Sequence, residues 1–139
     1  MNFKPILIVC GEPNSIFSEL LVKSFKKYKS TRPIVLIGSL DLVNSQLKKL
    51  NLELNLNLIL LKSNYLKNLK KDRINIIDIN YKFQKPFEKN SPKSRNYISK
   101  CFNKAFEIMN CNEISGLING PVSKENFLRG KHQGITEYV

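Results

Sequence analysis

Residues 6–15 read ILIVCGEPNS, an unbroken apolar run that ends in a Gly-Glu-Pro turn. Such a run, bounded by Pro5 and Gly11, is typical of a strand that is buried on both faces of a parallel sheet. Asn14 or Ser15 is expected to cap a helix after the turn. Apolar side chains follow at helical spacing with lysines between them, at Phe17, Leu20, Leu21, Phe25 and Tyr28. The stretch therefore predicts one strand–turn–helix unit.

The same unit repeats along the chain. Residues 33–38 predict a strand, and Ser39 is expected to cap a helix whose apolar face is formed by Leu40, Val43, Leu47 and Leu50. Further strands are predicted at 54–61, 74–79 and 116–119, and Ser91-Pro92 predicts the start of a helix that reaches about Cys111. This alternation predicts an α/β fold with a parallel sheet. The sheet is expected to be incomplete, since the final strand and helix have nothing later to pack against.

Composition limits the function classes. The chain has 139 residues, of which 42% are hydrophobic, so it can form a core, and its formal net charge is +12. Of its 23 cationic residues 19 are lysines spread over most of the length, which favours a solvated basic surface. Few arginines are present for phosphate forks, so nucleic-acid binding is the less favoured alternative. The amino-terminal apolar stretch is too short for a secretory signal or a membrane span, and the default location is the cytoplasm.

The sequence offers few groups for metal or redox chemistry. Cys10, Cys101 and Cys111 form no CxxC pair and are an odd number, which fits a reducing compartment. The single histidine, His132, lies in a polar stretch and is interpreted as a surface residue. No G-x-G-x-x-G follows the first strand, so a Rossmann cofactor site has no support. Neither a metal ligand set nor a cofactor site is predicted within this chain.

Two turns are candidate sites because each joins a predicted strand to a predicted helix. They are Gly11–Ser15 and Gly120–Lys124. In open α/β sheets, ligands bind beyond the carboxyl ends of the strands, where helix amino termini offer free N–H groups to an anion. Lys124 adds a positive charge. Alternatively, both are ordinary βα turns in which Gly and Pro set the backbone geometry and Ser caps a helix.

Two motifs in these turns resemble those of the 4-hydroxythreonine-4-phosphate dehydrogenases. Gly11-Glu12-Pro13 is similar to the Gly-Asp/Glu-Pro start of that family, and Glu19 keeps its place. Gly120-Pro121-Val122-Ser123-Lys124 resembles the family's Gly/Ala-Pro-x-x-Lys, and Gly134-Ile135-Thr136-Glu137 resembles its Gly-His-Thr-Glu. The resemblance covers residues 1–139 but only about the first two fifths of a typical member. It implies that the chain is the amino-terminal part of a larger α/β dehydrogenase. The alternative is a small basic α/β protein that binds nucleic acid or phosphorylated metabolites without catalysis.

The resemblance implies a three-layer sheet like that of isocitrate and isopropylmalate dehydrogenases. It also implies oxidation of 4-(phosphooxy)-L-threonine with NAD(P), followed by loss of carbon dioxide to give 3-amino-2-oxopropyl phosphate for pyridoxal phosphate (vitamin B6) synthesis. A divalent metal (Zn, Mg or Co) held by three histidines, and a site at a homodimer interface, belong to the same expectation. The metal ligands and the cofactor contacts would lie beyond Val139, so the 139-residue chain alone is expected to be inactive.

Carried over by position, the family's substrate contacts fall on Ile135 and Thr136, with Lys124 as a further substrate-binding candidate. Thr136 matches the family and can form a hydrogen bond with the substrate, whereas an apolar Ile135 cannot. Residues 14–18 also depart from the family's Ala-Gly-Ile-Gly-Pro. Three interpretations stay open: a divergent lineage with shifted substrate contacts, a relative that acts on another phosphorylated hydroxy acid, and a decayed copy.

Overall fold

A computed structural model describes residues 3–62, 64–111 and 113–139. Five parallel strands form one sheet in the order β3-β4-β2-β1-β5. The strands are β1 (Ile6–Val9), β2 (Ile34–Gly38), β3 (Leu56–Leu58), β4 (Ile74–Asp78) and β5 (Gly116–Asn119). The helices are α1 (Phe17–Lys27), α2 (Leu40–Lys49), α3 (Pro92–Met109) and α4 (Ile135–Tyr138), with a 3₁₀ turn at Tyr65–Asn68 and a π-helical turn at Lys124–Leu128.

The strand order places the helices in two layers. The β1–α1–β2 and β2–α2–β3 connections move towards one edge of the sheet, whereas β4–α3–β5 moves back towards the other. Because such crossovers are right-handed, α1 and α2 cover one face and α3 covers the opposite face. The chain is thus α/β with a parallel sheet between helical layers, as predicted. Within the described residues, no helix combines the length and hydrophobicity that crossing a membrane requires.

Most predicted boundaries are confirmed, and their capping chemistry is visible. The Ser39 hydroxyl accepts a hydrogen bond from Leu42 N–H at the start of α2. Ser91 and Ser94 form a reciprocal capping box around Pro92 at the start of α3. α3 ends at Met109, two residues before the predicted end at about Cys111. β3 covers only 56–58 of the predicted 54–61, because its single neighbour β4 begins at Ile74, opposite Leu56.

The predicted apolar face of α1 was wrong in part. Leu20 is 46% exposed and Tyr28 is 64% exposed, whereas Ser18 is buried. The cause is a polar contact between helices, in which the Ser18 hydroxyl donates to Gln46 Oε1 on α2. Gln46 Nε2 in turn donates to the carbonyl of Pro13 at 2.7 Å. The buried face of α1 therefore includes Ser18 together with Phe17, Leu21 and Val22.

Asn75 is the polar residue that fixes the β2–β4–β3 side of the sheet. Its side chain is fully buried, yet all four of its hydrogen bonds are formed. Nδ2 donates to the carbonyls of Ile34 at 2.9 Å and Lys70 at 2.8 Å. Oδ1 accepts from Lys70 N–H and from Asn57 Nδ2, both at 2.8 Å. The amide therefore joins β2, β3 and the loop before β4.

Asn75→Asp should destabilise the fold strongly. An ionised aspartate cannot donate to the Ile34 and Lys70 carbonyls, and it places a charge without a cation in the core. We expect the free energy of unfolding in urea at neutral pH to fall by about 3 kcal/mol or more. Asn103→Asp, an exposed position on α3, is the matched control and should change it by less than about 0.5 kcal/mol. Equal unfolding midpoints for the two variants would contradict the role of Asn75.

Candidate functional site

The two turns singled out in the sequence meet at one rim of the sheet. β1 and β5 are neighbouring parallel strands, so the turns that follow them leave the sheet side by side. Gly120 N–H donates to the Val9 carbonyl and Glu12 N–H donates to the Pro121 carbonyl, each at 2.7 Å. The structure thus brings together residues 11–15, the β1 turn, and residues 120–124, the β5 turn. This rim lies beyond the carboxyl ends of the strands, where ligands bind in open α/β sheets.

The glycines of the two turns are required by backbone packing. A Cβ atom on Gly11 would lie 2.4 Å from the Pro121 carbonyl oxygen, and one on Gly120 would lie 2.4 Å from Gly11 N. Both distances are far below van der Waals contact. The backbones therefore touch directly, and no space between them is left for a ligand.

Glu12 joins the two turns through its side chain. It is only 5% exposed, and its Oε1 accepts from Ser123 N–H at 3.3 Å and from Asn126 Nδ2 at 3.5 Å. Its Oε2 is buried and has no hydrogen-bond partner among the described residues. Burial raises the pKa of the Glu12 carboxyl, while the hydrogen bonds from Ser123 and Asn126 act in the opposite direction.

The amino terminus of the Lys124–Leu128 turn is occupied by the chain itself. Ser123 N–H binds the Glu12 carboxyl group, and the Ser123 hydroxyl accepts from Asn126 N–H at 3.0 Å. For these two N–H groups, the expectation that they are free for a ligand was wrong. The Ser123 cap, by contrast, is confirmed. An internal carboxyl group holds the position that the sequence suggested for an external anion.

The β1 turn also satisfies its own backbone groups. The Ser15 hydroxyl donates to the Glu12 carbonyl at 2.6 Å and accepts from Phe17 N–H at 3.3 Å. Ile16 occupies the N-cap position of α1, so neither Asn14 nor Ser15 is the N-cap that the sequence predicted. Ser15 still supplies a capping oxygen from one residue further upstream.

The candidate substrate-binding residues lie on two short elements that pack together. Lys124 is exposed at the start of the π-helical turn, whereas Ile135 is half-buried and Thr136 exposed in the first turn of α4. Tyr138 joins the elements, because its ring lies edge-on to Phe127 at 5.0 Å and to Phe102 at 5.2 Å between centroids. The predicted surface histidine, His132, is half-buried against the Tyr138 ring at 5.6 Å.

Cavities open near the carboxyl ends of the strands, and only the one beside the β1 turn includes residues that the sequence analysis had singled out. One of about 330 Å³ lies beside the β1 turn and is lined by Asn14, Ser15, Ile16, Glu19, Leu50 and Phe87. Another of about 250 Å³ lies beyond β4 and includes Asn80, Lys82, Lys93, Asn96 and Lys100. Phe87 and Lys82 come from the polar loop before α3, whose packing depends on tertiary contacts that no local pattern shows.

The described residues form neither a metal-binding cluster nor a Rossmann-type pyrophosphate site. No three His, Cys, Asp or Glu side chains among them are close enough to hold a metal ion. The first βα turn, where a Rossmann fold binds pyrophosphate, is filled by the β5 turn. The buried thiols of Cys10 and Cys101 are 3.6 Å apart and pack against the Tyr97 hydroxyl in the core.

Comparison with known proteins places this geometry in a family. The sequence profile of the family described as pyridoxal phosphate biosynthetic protein PdxA matches residues 29–139. The chain belongs to the PdxA family. None of the curated proteins matches it significantly. The match includes the β5 turn and residues 134–137, whereas the β1 turn precedes the matched region.

Solved structures share the fold. Proteins from Salmonella typhimurium, Burkholderia phymatum and Klebsiella pneumoniae, each carrying the name 4-hydroxythreonine-4-phosphate dehydrogenase, superpose with TM-scores of 0.72, 0.74 and 0.70. Their sequences are 19%, 19% and 18% identical to this one over 95%, 97% and 94% of the chain. The chain spans only 42%, 42% and 40% of their lengths. The solved structures confirm the predicted fold, and the sequence profile confirms the family resemblance.

Gly120→Ala should disrupt the contact between the turns. The added Cβ would lie 2.4 Å from Gly11 N and 2.8 Å from Phe17 Cδ2, so the backbone has to move. We expect the free energy of unfolding to fall by about 2–4 kcal/mol, measured in urea.

Gly116→Ala in β5 is the matched control, since a Cβ there meets nothing within 4 Å. We expect that variant to be as stable as the wild type or more stable by about 0.5 kcal/mol, because glycine weakens a strand. The turns are not interlocked if the two variants prove equally stable.

Proposed function

We propose that this chain is the amino-terminal part of a dehydrogenase that oxidises 4-(phosphooxy)-L-threonine, with decarboxylation to 3-amino-2-oxopropyl phosphate, in pyridoxal phosphate biosynthesis. The observation that carries the proposal is the PdxA-family match over residues 29–139, which includes both the β5 turn and the 134–137 motif. The shared fold of the three named dehydrogenases supports it. The substrate would meet this part of the enzyme at the rim where the β1 and β5 turns touch.

Three residues of this chain are assigned to the phosphorylated substrate. Lys124 supplies an ammonium group for the phosphate, and the Thr136 hydroxyl donates a hydrogen bond to a substrate oxygen. Ile135 lies in the same turn of α4 and contributes only an apolar surface. The support for this grouping is the packing of α4 on the Lys124–Leu128 turn through Tyr138 and Phe127.

The remaining parts of the proposal concern groups outside this chain. NAD(P) is the hydride acceptor, a divalent metal (Zn, Mg or Co) assists the reaction, and their ligands lie outside residues 1–139. The complete enzyme is a homodimer in the cytoplasm, with its site at the subunit interface. The residues of this chain are assigned to neither the metal nor NAD(P). Their role is to bind the substrate and to shape the site.

An assay of NADH formation tests whether the metal and cofactor ligands lie outside residues 1–139. Purified residues 1–139 should give no NADH with 4-(phosphooxy)-L-threonine, NAD and a divalent metal, because the metal and cofactor ligands are missing. Co-expression with the protein segment encoded after Val139 should restore substrate-dependent NADH. NADH formed by the 139-residue chain alone would contradict the assignment of the ligands to another segment. A downstream sequence without three well-separated histidines would contradict the enzyme itself.

Lys124→Gln should weaken phosphate binding by the chain. A charge-assisted hydrogen bond contributes about 1.5–3 kcal/mol, so the dissociation constant for 4-(phosphooxy)-L-threonine should rise about tenfold or more. Two-dimensional NMR titration measures this through the shifts of the residue 123–128 amides. Lys131→Gln, which removes one exposed charge seven positions later, is the control for net charge and should change the constant by less than about twofold. Equal effects would mean that only the general basic charge attracts the ligand.

A further inference from the structure

Glu12 is the buried acidic residue at the junction of the two turns, and the substrate-binding assignment gives it no role. It is 5% exposed and lies 111 residues before Ser123, whose N–H it binds. Asn75, a buried polar side chain that also joins separate elements, has every hydrogen bond satisfied. Glu12 has one satisfied oxygen and one without a donor. If Glu12 only stabilised the fold, an amide side chain with all its hydrogen bonds formed would do so at a lower desolvation cost.

We infer that Glu12 is a positioning residue for the candidate substrate-binding turn. Its carboxyl group occupies the anion position at the start of the Lys124–Leu128 turn and fixes Ser123 there. A phosphate group then has to bind on the outer side of the turn, through the Lys124 side chain. The effect on phosphate binding rests on the proposed function. The contact between Glu12 and Ser123 rests only on their geometry.

The position of Lys124 follows from a short chain of hydrogen bonds. Glu12 Oε1 accepts from Ser123 N–H and from Asn126 Nδ2, so it holds the residues on both sides of Lys124. The Ser123 carbonyl accepts from Phe127 N–H at 2.8 Å, which forms the first turn of the π-helical segment. Phe127 then packs on Tyr138 of α4. Glu12 is thus connected to the backbone that carries Lys124 and, through the aromatic contact, to the helix that carries Thr136.

Burial raises the pKa of the Glu12 carboxyl, so folding shifts this group towards its neutral form relative to the unfolded chain. Its Oε2 is enclosed without a donor, and none of the ion pairs among the described residues includes Glu12. Among the titratable groups around it, Tyr81 in the loop before α3 interacts electrostatically with Glu12. Glu19 and Lys23 on α1 pair with each other, and Lys124 and Glu125 on the turn are exposed. Arg95 is directed to the Asn126 carbonyl at 3.4 Å and not to the carboxyl group. A neutral acid can hold Ser123 without the cost of an uncompensated buried charge.

Amide hydrogen exchange in two variants tests the positioning role without any ligand. Glu12→Ala removes the acceptor, and Ser123 N–H should exchange about tenfold faster than in the wild type. Glu12→Gln keeps the acceptor oxygen and the length, so Ser123 exchange should stay within about twofold. Gly120 N–H, which binds the Val9 carbonyl, is the internal reference. Unchanged Ser123 exchange in Glu12→Ala would overturn the inference. Should Glu12→Ala fail to fold, loss of Ser123 protection in the isosteric Glu12→Gln would overturn it instead.

The pH dependence of stability tests the shift of Glu12 towards its neutral form. Because the folded pKa of Glu12 is raised, its protonated form is favoured by folding, and this stabilisation is lost as pH rises through the folded pKa. The wild type should therefore lose a few degrees in Tm relative to Glu12→Gln as the pH rises from about 4, near the ordinary pKa of a glutamate, through the raised pKa of the folded chain. The Ser123 amide shift should titrate over the same range in the wild type only. Parallel profiles of Tm against pH for the wild type and Glu12→Gln would contradict a raised pKa of Glu12.

Phosphate affinity separates this inference from the proposed function. Glu12→Ala should weaken the binding of inorganic phosphate by about tenfold if the turn is mispositioned, whereas Glu12→Gln should bind as the wild type does. A wild-type chain that binds no phosphate would count against the proposed substrate site, while the Ser123 exchange would still decide whether Glu12 positions the turn.

Discussion

The backbone contact between the β1 and β5 turns is the constraint on which the rest of the site depends. Gly11 and Gly120 lie so close that neither has room for a side chain, and the Glu12 N–H to Pro121 hydrogen bond fastens them. A parallel sheet brings strand ends to one rim, but it does not by itself bring their turns into contact. Here the turns touch because two glycines permit the approach and the Glu12 side chain bonds across it to Ser123.

Two buried polar side chains, Asn75 and Glu12, connect different parts of this fold. Asn75 satisfies its whole hydrogen-bonding capacity within the sheet and the adjacent loop, so it defines the register of β2, β3 and β4 at little cost. Glu12 satisfies only half of its capacity, and the unsatisfied half lies beside the candidate site. Departures from complete hydrogen bonding are expected where a structure serves binding as well as stability.

The sequence predicted the elements whose signal is local. Apolar runs between turn residues located β1, β2, β4 and β5 to within a residue, and Ser91-Pro92 located the start of α3 because its capping chemistry is contained in adjacent residues. Prediction from sequence failed where a contact with a residue far along the chain determines the structure. The buried face of α1 depends on Gln46, and the placement of α4 depends on the contact of Tyr138 with Phe127. The motif residues were found through family resemblance, whereas the role of Glu12 required the position of Ser123.

The long separation between the two turns has a kinetic consequence. Glu12 and Ser123 are 111 residues apart, so their contact closes a loop that includes most of the sheet. Non-local parallel pairings form slowly because the loop entropy is lost before the contacts stabilise it. On a ribosome β1 emerges first and β5 much later. The edge of β1 that pairs with β5 therefore has no partner during most of synthesis. The site is consequently the last region of this sheet to assemble, and a nascent chain carries β1 with one edge unpaired until then.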